Sequence, residues 1–129
     1  MHILFLDESG TPPKPGSEYP RRSVVGGLII PEAAWHSIRD GLLGLKVRRK
    51  IRGEIKWRYF SPSNDDAKNP MRGLSSDERN ALRSDIYGPI AKHKSVKTIA
   101  ATVYTQTAYT MPSVKSQEHV YALAYKGIT

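Results

Sequence analysis

The chain has 129 residues, 39% hydrophobic and 25% charged, with a formal charge of +8 and a pI near 9.8. That length suits one domain with a modest core, and the basic balance favours polyanionic partners such as nucleic acid. The absence of cysteine excludes disulfides, thiolate metal sites and thiol nucleophiles, and no apolar run is long enough to cross a bilayer.

The first element is the run Ile3 to Leu6 in "ILFLDESG". It is apolar on both faces of a period-2 pattern, which predicts a strand covered on both sides. This run meets Asp7 too soon for a secretory leader, so a cytoplasmic protein without a membrane partner is expected. Ser9 to Arg22 reads as a loop, with three prolines before Tyr19. Ser23 to Ile30, "SVVGGLII", predicts a second buried strand, antiparallel to the first, whose Gly26-Gly27 pair marks a bulge or a close backbone approach.

Pro31 opens a helix with Glu32 in its first turn. Trp35, Ile38, Leu42 and Leu45 give it one apolar stripe, while Gly41 and Gly44 weaken it and permit a close neighbour. Ser61 to Gly73 is a polar loop. Ser75 and Glu78 have capping-box spacing and start a second helix, lined by Leu82, Ile86 and Ile90, which Pro89 should kink or end. Val96 to Tyr104 is rich in β-branched residues and predicts a third strand. Gln117 to Ile128 predicts a last amphipathic helix with Val120, Leu123 and Ala124 inward. This order fits the opening of a larger α/β domain.

Three features could carry chemistry. Asp7 and Glu8 stand where a buried strand ends. Carboxylates there lose hydration and need a cation or several donors, and ligands of open α/β sheets sit beyond the carboxyl ends of the strands. The alternative is a turn, since Asp-Glu-Ser-Gly is good turn chemistry. In "GEIKW", Glu54 is the one acid among the seven cations from Lys46 to Arg58. It reads either as a salt-bridged surface acid or as a further metal ligand with Lys56 beside it, the two sharing a face if the segment is extended. The basic run itself, with Arg48, Arg49, Arg52 and Arg58, reads either as a surface that attracts phosphates or as a solvated helix end. Its aromatic Trp57 is expected in the core rather than as a platform for bases. His2, His36, His93 and His119 show no metal-ligand spacing, and neither a glycine-rich phosphate loop nor a Ser-His-Asp set is present.

The strings "FLDESG", "VVGGLIIPEAAW", "EIKW" and "HVYALAYKGI" occur in an order that resembles domain-of-unknown-function family 3800, known from bacteria and phages and found near mobile elements or defence genes. The resemblance implies a ribonuclease H-like α/β fold, a mixed sheet with flanking helices, over residues 1–129. It also implies a metal-dependent, nuclease-like action on nucleic acid phosphodiesters. Asp7 and Glu8 match the family's opening acids, and Glu54 and Lys56 its Glu-x-Lys element. In that picture Asp7, Glu8 and Glu54 hold magnesium or manganese, which suit hard oxygen ligands, and Lys56 neutralises developing charge. The order of elements departs from a minimal ribonuclease H, which places a third strand before its first helix. The family also continues past this point to another acidic position, so the expectation is a truncated domain. A second expectation is a non-catalytic nucleic-acid-binding or interaction module with a degenerate site. A third is a fragment whose sheet is completed by a partner chain or by self-association.

Overall fold

The computed structural model describes residues 1–129. Its elements are β1 (His2–Glu8), β2 (Arg22–Pro31), α1 (Glu32–Arg48), a 3₁₀ turn (Trp57–Phe60), α2 (Ser76–Ala91), β3 (Lys97–Tyr104), the four-residue α3 (Thr105–Ala108) and α4 (Gln117–Ile128). No helix is long and apolar enough to cross a membrane. The chain is mixed α/β and divides into two compact units: a sheet unit, Met1–Pro31 with Val96–Thr129, and a helical unit, Glu32–Ser95.

In the sheet unit the strands run in the order β1-β2-β3 and every pairing is antiparallel, so the expected mixed sheet is not what forms. The pairing of β1 with β2 is the one the sequence predicts, with Asp7 opposite Gly26 and Leu6 opposite Gly27. The register is continuous, so the glycine pair serves a close approach and not a bulge. A Cβ on Gly27 would collide with the Phe5 carbonyl oxygen. One sheet face carries Val25, Ala101 and Val103 and is covered by α4, whose Val120 and Ala124 are fully buried. Side-chain hydrogen bonds pin the loop after β1: Tyr109 Oη donates to the Pro13 carbonyl at 2.6 Å and Thr105 Oγ1 to that of Pro20 at 2.9 Å.

β1 departs from expectation. Leu4 and Phe5 are 45% and 40% exposed, and Ile3 and Leu6 only half-buried. The physical reason is position: β1 is an edge strand with one partner, whereas burial concentrates on the central strand, where Val25 is fully enclosed. Hydrophobicity predicts the strand but not which strand becomes the centre.

The helical unit has its own core of Leu45, Ile51, Tyr59, Phe60, Met71 and Leu82. The capping box forms as predicted. Ser75 Oγ accepts from the Glu78 N–H at 3.2 Å, and Glu78 Oε2 accepts from the Ser75 N–H at 2.7 Å. Pro89 lies within α2, and the neighbour that Gly41 admits is this proline, which a Cβ at position 41 would approach to 2.8 Å. The loop from Ser61 to Gly73 is organised by Arg79, buried to 4% exposure. Its guanidinium donates to the carbonyls of Tyr59, Ser61 and Leu74 at 2.7, 2.6 and 3.1 Å.

Candidate functional site

The two opening acids sit at the end of β1, where both are exposed. Successive side chains of a strand point to opposite faces, so Asp7 and Glu8 diverge. Asp7 shares its row across the sheet with Gly26 and Ala100, so its direct cross-strand neighbours are small. Its Oδ1 accepts the Glu8 N–H at 3.0 Å and meets no cation. Water, not a buried counter-ion, therefore balances this charge, contrary to the expectation of a covered strand end. Ser9 continues the ladder, its N–H donating to the Val24 carbonyl at 2.9 Å and its Oγ accepting the Val24 N–H at 3.1 Å. Gly10 then turns the chain at a φ of +81°. The Asp-Glu-Ser-Gly string is thus a strand end and turn with a water-facing carboxylate.

Glu54 and Lys56 belong to the helical unit and come together there, Nζ to Oε2 at 3.2 Å, with side-chain exposures of 73% and 42%. An exposed pair of this kind contributes about 0–1 kcal/mol. No group of three or more histidine, aspartate or glutamate side chains converges on one point. A magnesium ion, however, commonly uses one or two carboxylates and completes its shell with waters and substrate phosphates. Asp7, free of any cation, fits that mode, whereas Glu54 is already paired.

The basic segment is shaped by how α1 ends. The Ile51 N–H reaches the Lys46 carbonyl at 2.8 Å and the Lys50 N–H that of Val47 at 3.1 Å. This is a Schellman arrangement, in which the residue after the C-cap takes a left-handed conformation, usually as glycine. Here that residue is Lys50, at a φ of +53°. Buried Ile51 anchors the turn, and Lys46 Nζ donates to the Gly53 carbonyl at 2.6 Å, folding the following loop back on the helix. The outcome is a turn on which Arg48, Lys50 and Arg52 project, all exposed and without carboxylate partners.

Two of the four predicted arginines are engaged. Arg49 Nη2 pairs closely with Asp85 of α2. Arg58 bonds Asp66 at 2.9 Å, and its guanidinium lies over the Tyr59 ring, 5.3 Å from the centroid. The Asp66 carboxyl is held below the usual range, first by the backbone N–H of Lys68 and then by Arg58. Arg48, Arg49 and Lys92 also flank a groove of about 850 Å³ between α1 and α2, with Ser37 and Ser84 in its walls. The prominence of Lys50 comes from backbone conformation, which residue type does not announce, and nothing in the local sequence points to Lys92.

Trp57 contradicts its expected place in the core: it is 68% exposed, while Tyr59 and Phe60 of the same turn fill the interior. A 3₁₀ turn of four residues can bury only one side, and the larger ring is the one left out.

No family model matches the chain, and neither the curated proteins nor the solved structures contain a match.

Proposed function

We propose that this protein binds nucleic acid through the turn and loop from Lys46 to Arg58. The observation that carries the reading is the set of three exposed, unpaired cations, Arg48, Lys50 and Arg52, presented on one turn that Ile51 anchors. Such cations release counter-ions from a phosphate backbone, and each neutralised phosphate adds ~0.7–0.9 to the salt slope of binding. With three phosphates neutralised, affinity should fall roughly 20–40-fold between about 50 mM and about 200 mM salt. The test is fluorescence anisotropy with a labelled oligonucleotide and the double variant Arg48→Glu/Arg52→Glu. Weakened binding to every sequence alike is expected; unchanged affinity would remove the reading.

A second reading adds metal-dependent phosphodiester cleavage within a ribonuclease H-like domain, in keeping with the resemblance to family 3800 and with a role in phage or mobile-element defence. The favouring observation is Asp7, a carboxylate without a cation, bordered by Gly26 and Ala100. A divalent magnesium or manganese ion would there polarise a phosphoryl oxygen and activate water. Asp7 would supply a hard oxygen ligand. Glu8, on the opposite face, is not its companion, and Lys56 is held by Glu54.

A further inference from the structure

Trp57 has an unusual setting for an exposed aromatic. The Arg83 guanidinium, from α2, lies 5.1 Å from the Trp57 ring centroid and 5.4 Å from that of Phe60. The two rings are themselves 5.7 Å apart and tilted by 45°. Arg83 is held in turn, its Nη2 donating to Asn80 Oδ1 at 2.9 Å, while its buried Nε meets no acceptor. The rings therefore do much to fix this guanidinium, and a cation over the face of an indole is attracted by the ring quadrupole. At an exposed site such a contact is worth about 0.5–1 kcal/mol, roughly 2- to 5-fold in population, which favours this indole orientation although 68% of the residue is in water.

An indole kept exposed and oriented, in a segment with seven cations and one acid, has the parts of a stacking platform for unpaired bases. The backbone of a single strand would follow the cations, and a base released from pairing would lie on the free part of the ring. In a duplex the bases are stacked on one another and cannot reach it. We infer that Trp57 is a base-stacking residue and that the preferred partner is single-stranded nucleic acid. This inference rests on the nucleic-acid reading above and adds the class of strand and the residue that selects it. Arg83 acts through Trp57 and is a positioning residue.

The test compares a single-stranded oligothymidylate with a duplex of equal length at low salt, using the full chain and the variants Trp57→Ala, Trp57→Phe and Arg48→Glu. Stacking on one aromatic predicts a roughly 5- to 150-fold loss of single-strand affinity in Trp57→Ala. Trp57→Phe should lose less, and duplex affinity should stay unchanged in both. Single-strand binding should also quench more tryptophan fluorescence in the wild type than in Trp57→Phe, where Trp35 alone remains. Arg48→Glu should weaken both substrates. Because Trp57 lies outside the core and its contacts to Arg83 and Phe60 contribute only modestly to stability, both variants should stay folded and melt within a few degrees of the wild type. Equal binding of single strand and duplex, or a silent Trp57→Ala, would overturn the stacking inference while leaving the basic surface in place. Absence of binding to either substrate would overturn the nucleic-acid reading and this inference with it.

Discussion

Lys50→Gly separates the stability of this protein from its proposed binding. Lys50 occupies the left-handed position after α1 at a φ of +53°. A non-glycine residue there carries a steric cost of roughly 1–2 kcal/mol, and glycine avoids it but loses about 0.5–1 kcal/mol more to chain entropy on folding. The hydrogen bonds of the turn, from the Ile51 and Lys50 N–H groups, are made by backbone and survive the change. The net expectation is a gain of about 0.5–1 kcal/mol, a rise of roughly 2–5 °C in Tm for a chain of this size. One exposed cation is removed at the same time, so the salt slope of nucleic-acid binding should fall by ~0.7–0.9. Thermal denaturation by circular dichroism and anisotropy titrations at several salt concentrations read the two effects. A variant that is less stable than wild type would refute the strain argument. One that is more stable but binds with an unchanged slope would show that Lys50 touches no phosphate.

Further expectations follow from particular interactions. Gly27→Ala should force β1 away from β2, because its Cβ has no room beside the Phe5 carbonyl oxygen; a loss of about 1–3 kcal/mol in a denaturant titration is expected, and an unaltered midpoint would contradict the register. Arg79→Met should cost about 1–3 kcal/mol by removing a charged donor from the Tyr59, Ser61 and Leu74 carbonyls, of which Tyr59 keeps the Asn69 side chain and Ser61 the Asn64 N–H, seen as a lowered Tm. The Glu78 carboxyl is held below its usual range, first by the Ser75 backbone N–H and next by the Ser75 side chain. Its contribution is therefore complete above the ordinary carboxylate range and lost as pH falls through the depressed value. Ser75→Ala should remove part of that acid dependence in pH-resolved melts. Manganese should raise the Tm of the wild type but not that of Asp7→Asn when Asp7 ligates the ion, and an equal response of the two would end the metal reading.

Local signals carry much of the fold. The capping spacing of Ser75 and Glu78 locates α2, and the apolar stripe of Val120, Leu123 and Ala124 locates α4 with its boundaries. β-Branched density marks β3, and the glycine pair marks the tight crossing at Gly27. These features announce themselves in local spacing and composition, which a sequence displays. Burial is less legible. The four apolar residues of β1 look like a central strand, yet their exposure is set by which strands pair, a long-range outcome. The same outcome leaves Asp7 and Glu8 hydrated instead of buried. Composition reveals the basic segment, but its presentation depends on the left-handed Lys50. The partners that occupy Arg49 and Arg58 also lie out of reach of local reading, since Asp85 is 36 residues away and Asp66 is 8. Hydrophobicity ranks Trp57 as core material, whereas the geometry of its short turn buries Tyr59 and Phe60 instead.

Binding of the wild-type chain to a single-stranded oligonucleotide as a function of salt tests the central claim most directly. With Arg48, Lys50 and Arg52 each neutralising a phosphate, log K should fall with log salt at a slope of roughly −2 or steeper. A slope near zero, or no binding at low salt, would contradict it.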